Sequence, residues 1–299
     1  MVQFALRKLR YIKNYFIFIF VFIYFHLELR KTIFGNEKSL IIHKSHGGAI
    51  IYGVSRAVKI DSRDKIKKMH RNWRAIVNGY PSLKTVFVDC ELYEDPFLAA
   101  IIMERGFPIP GECIESAALE IYRRIKFEAP PRRCNDVVHR TFIKVGIEIV
   151  IELFGNDFKD NFFEELEQYF QKIYSLGLVH GDFHDRNMVS NERGDVYRAI
   201  DLDCISFHGI QEFDALYFII ESYSRRKEIS WIMAINHFIN NTIDDHHINL
   251  LQSFGVDRNL KFFIGFFLNR IGQDYKLNNF KYYKSELTPV VSLMRSNVG

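Results

Sequence analysis

Residues His180–Asn187 read HGDFHDRN, and Asp201 follows fourteen positions after Asn187, inside RAIDLDCISF. Leu178 and Val179 form a short β-prone run into this polar segment. Asn187 to Ser190 lead out of it, and Val196 to Ile200 return after Asn191–Asp195, which is rich in turn-forming residues. The pattern predicts a strand, a loop and a tight hairpin in succession. Such a hairpin brings Asp201 beside Asn187 and Asp182, so two carboxylates and an amide converge from separate parts of the segment.

The rest of the composition sets few limits. With 299 residues, 48% hydrophobic and 25% charged, the chain has the make-up of an ordinary globular protein, large enough for one big domain or two lobes. Cys90, Cys113, Cys134 and Cys204 are too widely spaced for a CxxC metal ribbon and too few for a disulfide scaffold, which suits a reducing cytosol. Net charge is +4, yet residues 1–90 hold 17 Lys and Arg against 5 Asp and Glu. That asymmetry favours a basic surface near an anionic membrane, a nucleotide or nucleic acid; a solvated basic face accounts for it equally well. Aromatic and basic residues do not alternate on a recognisable β platform, so no nucleic-acid partner is expected.

Arg7, Lys8, Arg10 and Lys13 precede an uninterrupted apolar run from Tyr15 to Phe25. As a helix, eleven residues would cover about 16 Å of roughly 30 Å of hydrocarbon, too little for a clean span. No small-residue cleavage site follows, which disfavours a signal peptide. Two readings of residues 1–35 stand: an anchor at the membrane surface, and an element buried against the rest of the protein. Either is compatible with a cytoplasmic protein, peripheral on the cytosolic face in the first case.

Further along, LIIHKS and AIIYGVSRAVKI read as two strands of a hairpin around His46, Gly47 and Gly48. The two glycines would let backbone amides approach a phosphate, or would simply make a tight turn. Lys59 closes the second run, where a lysine behind a glycine turn can reach nucleotide phosphates as a point charge. Asp64–Ile76 is helix-prone, Thr85–Asp89 and Ala99–Met103 read as strands, and the Gly- and Pro-rich ERGFPIPG then marks a lobe boundary. Phe163, Leu166, Phe170 and Ile173 recur at helical spacing, giving a helix over Phe162–Leu176 with Gly177 as its stop. Apolar stripes through Leu216, Ile219 and Ile220, and through Trp231, Ile235 and Phe238, predict core helices. The adjacent histidines at Asp244–His247 read as a solvated loop.

The central segment carries the chemistry. Asp182 can accept the proton of an attacking hydroxyl or hold that hydroxyl in line, while Asn187 and Asp201 offer oxygen ligands for magnesium bridging the phosphates of ATP. A zinc reading of His180 and His184 needs a helix, which Gly181 opposes, and a third soft ligand, which the vicinity lacks. His180 is read as a brace for the loop backbone.

These residues resemble the protein-kinase-like superfamily, in particular the aminoglycoside and choline phosphotransferases and the bacterial lipopolysaccharide core sugar kinases. Those families place HGD, a histidine two residues later and then an asparagine, as at His180, Gly181, Asp182, His184 and Asn187. IDLD at Ile200–Asp203 is similar to their metal-binding IDxD, implying a metal role for Asp201 and an auxiliary one for Asp203. Phe213–Leu216 looks like the family's helix start, whose aspartate, here Asp214, braces the catalytic loop. Met103–Gly111 resembles the hinge that holds adenine, which puts Glu104 beside the cofactor.

The resemblance implies an α+β, two-lobed protein-kinase-like fold with a small antiparallel β-rich N-lobe (36–103), a hinge (104–111) and a larger, mainly helical C-lobe (112–299). It also implies an ATP- and magnesium-dependent kinase acting on a small-molecule or lipid-linked sugar acceptor. One departure is a helix 64–78 without the glutamate that kinases pair with the strand lysine. The alternatives are an atypical protein serine/threonine kinase, disfavoured by the short Cys204–Phe213 stretch, and a pseudokinase scaffold.

Overall fold

The computed structural model describes residues 33–34, 41–45, 48–95, 99–134, 136–155 and 162–296. The chain divides into two compact units. One runs up to Pro110 and takes in Met188–Asp203; the other comprises Gly111–Asn187 and the chain from Cys204 onward.

In the first unit, β1 (Ile41–Ser45), β2 (Gly48–Tyr52), β3 (Arg56–Ile60), β4 (Cys90–Glu94) and β5 (Ala99–Glu104) form an antiparallel sheet in the order β1-β2-β3-β5-β4 among the described residues. The run predicted as one strand from Ala49 to Ile60 is two, because the chain turns at Gly53, whose N–H donates to the Arg56 carbonyl at 2.8 Å. Period-two alternation then buries both faces of the sheet. Ala99 and Ile101 meet Ile66 and Met69 of α1 (Arg63–Gly79), while Ile51, Val58, Ile60 and Ala100 pack around Ile33 and Phe34. Ile33 and Phe34 are the only residues of the N-terminal segment among those described; its apolar run lies outside them.

Thr85–Asp89 is not the expected strand. Pro81, which has no N–H to lose, opens a 3₁₀ turn over Pro81–Thr85. The chain beyond it makes an isolated bridge, Phe87 to Ala199. That bridge and a second, Phe107 to Ser190, grip the hairpin of β8 (Met188–Ser190) and β9 (Tyr197–Ala199) from two sides. Gly106 permits the grip, since a Cβ there would sit 2.5 Å from Val189.

The second unit is mainly helical. A small sheet in the order β10-β7-β6, with β6 at Arg132–Arg133, β7 at Ser175–Val179 and β10 at Ser206–Gly209, lies among the helices. Helix α5 (Phe162–Ile173) ends before the predicted stop. Gly177 is a strand residue instead, and its bare Cα makes room for Gln211, whose Nε2 donates to the carbonyls of Ala129 and Leu178 at 2.9 and 3.2 Å. Asp244 and His247 form no solvated loop either. Asp244 is the N-cap of α8 (Asp245–Phe254), accepting from the His247 N–H at 3.2 Å, and the His247 ring is fully buried with Nδ1 2.5 Å from the same carboxylate.

Helix α9 (Leu260–Asn278) runs through the core of this unit, with Phe262, Phe266, Phe267, Leu268 and Ile271 buried. It lies against α4 (Ile143–Phe154) through a pair of glycines: a Cβ on Gly146 would be 2.0 Å from the Leu268 carbonyl oxygen, and one on Gly272 2.3 Å from that of Phe142. Neither obstacle is a side chain that could swing away. Gly146→Ala is therefore expected to force the helices apart and cost about 1–3 kcal/mol of stability, as overpacking does. Urea unfolding checks this; an unchanged midpoint would show that the helices separate freely.

Candidate active site

In the second unit, β7 delivers the chain into the loop His180–His184, which closes in a 3₁₀ turn at Asp185–Asn187. Gly181 takes φ +78, and a side chain there would strike the Cys204 carbonyl oxygen at 2.3 Å, so only glycine fits. Phe183 anchors the loop in the core, 1% exposed, its ring 6.1 Å from that of Phe218 on α6 (Gln211–Lys227).

Asp214, in the first turn of α6, holds the loop backbone. Its Oδ2 accepts from the His180 N–H at 2.5 Å and its Oδ1 from the Gly181 N–H at 2.9 Å. Burial pushes the Asp214 carboxyl up to about 6, against the pull of these two amides and of His180. The buried His180 ring braces the residue two positions on, Nδ1 accepting from the Asp182 N–H at 3.4 Å.

The Asp182 carboxylate is held at both oxygens. Oδ1 lies 3.2 Å from Nη2 of Arg270, while Oδ2 accepts from Asn187 Nδ2 at 3.0 Å and lies 3.5 Å from His184 Nε2. Burial alone would raise this carboxyl; the His184 hydrogen bond and the Arg270 charge outweigh it and hold Asp182 well below the usual carboxylate range. His184 moves the opposite way: burial lowers it, but Asp182 and Asp185 raise it on balance.

The Asn187 Nδ2 also donates to the Asp182 carbonyl at 2.8 Å. With its NH₂ group so committed, the amide has its Oδ1 as the remaining lone-pair donor. A cleft of about 40 Å³ adjoins this loop, lined by Gly181, Ser206, His208, Asn269, Arg270 and Gln273 among others.

In the first unit, Lys59 on β3 is 8% exposed, and its Nζ lies 2.6 Å from Oδ1 of Asp201. Asp201 directly follows the β8–β9 hairpin and adopts φ +64, a left-handed conformation uncommon for a residue with a side chain. From α1, Asn72 donates Nδ2 to the Leu202 carbonyl at 2.6 Å, tying the helix to this loop where a kinase-like glutamate is lacking. Asp203 lies in the 3₁₀ turn Leu202–Cys204.

Gly48 opens β2, and its missing Cβ is required by the Ile60 carbonyl oxygen, which one would approach to 1.9 Å; Gly47 lies outside the described residues. Glu104 ends β5 with its Oε2 2.5 Å from Nη1 of Arg198, and the Arg105 and Phe107 amides are taken by the Ser55 and Ser190 carbonyls.

Among the described residues, no group of three or more His, Cys, Asp or Glu side chains is arranged to hold a metal ion. Magnesium makes a different demand: it binds through one or two protein oxygens together with phosphate oxygens and water. In the first unit the partly exposed Asp201 carboxylate, 31% accessible, is a donor of that type.

Arg270, Gln273 and Asn72 were not singled out from the sequence. A signal existed for Arg270, which interrupts the apolar run FFIGFFLNRIG. A cation in so apolar a run is seldom buried unless it is paired.

No protein-family model matches the chain, and no curated protein does. Among solved structures it is similar to a thermostable mutant of aminoglycoside phosphotransferase APH(4)-Ia in ternary complex with AMP-PNP and hygromycin B. That match has a TM-score of 0.53 and 13% identity, covering 92% of this chain and 99% of that one. A second thermostable mutant of the same enzyme, with ADP and hygromycin B, matches at a TM-score of 0.53 and 14% identity over 91% and 98% of the two chains. The chain thus has the two-lobed, α+β protein-kinase-like fold, with a small antiparallel β-rich lobe and a larger helical one. At this identity the likeness is one of fold.

Asp214 yields a prediction by linkage. Its folded-state value of about 6 stands above the ordinary 3.8, so between these values the folded protein binds more protons than the unfolded chain. Its contribution to stability is complete below the ordinary value and is lost as pH rises through about 6. Asp214→Asn is expected to remove that part of the pH slope, and to cost about 1–3 kcal/mol by leaving a loop amide without its acceptor. Urea unfolding at pH 4.5, 5.5 and 7 reads both; an unchanged slope would show that another group titrates.

Proposed function

We propose that this chain is an ATP-dependent phosphotransferase that moves the γ-phosphate to a hydroxyl of a small-molecule or glycan acceptor. The observation that carries the reading is the Asp182 carboxylate, part-exposed at 27% and fixed at both oxygens, on a loop whose backbone is bound to Asp214. Held so far below its usual range, Asp182 serves chiefly to orient the acceptor hydroxyl by a charge-assisted hydrogen bond and takes its proton late.

Lys59 is assigned to the α and β phosphates, with Gly47, Gly48 and Glu104 in the nucleotide-binding lobe. Its ion pair with Asp201 keeps a nearly buried ammonium compensated until a phosphate takes over that role. Asn187 and Asp201, with Asp203 in support, are assigned to magnesium, which when bound neutralises charge on the phosphates. His180, His184 and Asp214 keep the loop in shape.

The short connection to α6 favours a compact acceptor: β10 ends at Gly209 and the helix begins at Gln211. We assign the acceptor to sugars, and a lipopolysaccharide core sugar presented at the cytosolic membrane face is the finer proposal. It rests on the HGD and IDLD resemblance and on the basic, apolar residues 1–35. No described helix is long and apolar enough to cross a membrane.

Two substitutions separate the roles. Asp201→Asn is expected to weaken magnesium-dependent ATP binding by about tenfold or more, as the loss of a metal ligand does. Asp182→Asn should leave ATP affinity within about twofold while slowing hydrolysis by about 10²-fold, the range for loss of a general base. Fluorescent-nucleotide titration with and without magnesium, paired with steady-state hydrolysis, reads both. Equal ATP affinity in wild type and Asp201→Asn would contradict the assignment.

A further inference from the structure

We propose that Arg270 is a positioning residue for Asp182, fixing the plane of its carboxylate from helix α9; this rests on the phosphotransferase reading. A carboxylate held by one partner can still rotate about its Cβ–Cγ bond. Asp182 is held at both oxygens, by Arg270 at Oδ1 and by Asn187 with His184 at Oδ2. The partner from α9 is itself fixed on every side.

The guanidinium of Arg270 stacks 4.1 Å from the centre of the Tyr217 ring, lies 3.4 Å from Oδ1 of Asp274, and donates through Nη1 to the Gly181 carbonyl at 3.3 Å. Gln273 Nε2 donates to that same carbonyl at 2.6 Å. Arg270, Gln273 and Asp274, spaced i, i+3 and i+4, share one face of the helix, so α9 grips Gly181 and Asp182 together. Gln273 and Asp274 are buried, and the Arg270 side chain is only 14% exposed.

A planar fork is needed here, because one group must serve a carbonyl, two carboxylates and a ring face at once. A lysine ammonium offers no plane to stack and fewer fixed directions. Arg270 and Gln273 also line the cleft beside Gly181. The same two side chains thereby set the loop and shape the surface next to it.

A merely structural role would be neutralisation of the buried Asp274. The test removes that role: the double variant Arg270→Met with Asp274→Asn leaves no unpaired charge on the helix, while Tyr282 keeps an oxygen to donate to at position 274. The full chain is assayed for thermal midpoint, MgATP affinity and slow MgATP hydrolysis, each with and without millimolar guanidinium. The expected result is a midpoint near wild type, affinity within about twofold, and hydrolysis lower by about 10²-fold, the cost of small misplacements of a reacting group. Added guanidinium restores part of the rate, and Arg270→Lys falls between.

Wild-type turnover in the double variant would overturn the role of Arg270 alone, as would equal losses of affinity and rate with no rescue. A wild-type protein that neither binds nor hydrolyses MgATP would bring down the phosphotransferase reading, and this proposal with it.

Discussion

A loop that leaves a strand cannot donate its backbone amides to a strand partner, and in a buried setting those amides cannot be left unpaired. Asp214 resolves this by accepting both the His180 and the Gly181 N–H groups. Everything else in the loop follows from that anchor. With the backbone fixed there, Gly181 must turn through a left-handed conformation under the Cys204 carbonyl, Phe183 points into the core, and Asp182 is left pointing away from it. The cost is a buried acid driven up toward neutrality, offset by two short hydrogen bonds to the charged form.

Charge compensation recurs in each unit considered by itself. Lys59 meets Asp201 in the first, and Arg270 meets Asp182 and Asp274 in the second. A cation so close to water exclusion is tolerated only when paired, and two of these three partners, Asp201 and Asp182, are carboxylates to which the proposed chemistry gives work. This bears on the helix glutamate absent from residues 64–78. The ammonium is not stranded without it, and α1 reaches its loop by a neutral hydrogen bond from Asn72.

What the sequence disclosed followed from how local its determinants are. The hairpin after Asn187 was legible because turn formers and β-prone runs sit within a dozen residues, and the apolar stripes of α5 and α6 because period alone reveals them. Thr85–Asp89 was misread since its β propensity is spent on one bridge to a hairpin a hundred residues away. Gly177 was misread as a stop because glycine is ambiguous: the same bare Cα that ends a helix also admits Gln211 beside a strand. Asp244–His247 looked like solvated polarity, whereas Asp244 caps a helix and its carboxylate holds the buried His247 ring. Arg270 was missed for a related reason, being a long-range partner whose role exists only once α9 lies beside the loop.

That placement is decided where α9 meets α4. Gly146 and Gly272 let α4 and α9 approach to backbone contact, which fixes the axis of α9 where bulkier residues would leave it to side-chain packing. Gly272 adjoins Gln273 and lies two residues from Arg270, so the contact sets the position of both within about one helical turn. A hydrogen bond of 2.6 Å from Gln273 to the loop tolerates little error in that axis. The glycines therefore act on the loop through geometry and not through charge. Widening the α4–α9 spacing would loosen the hold on Gly181 and on Asp182 together, while Asp214, on a different helix, would keep its grip on the loop amides.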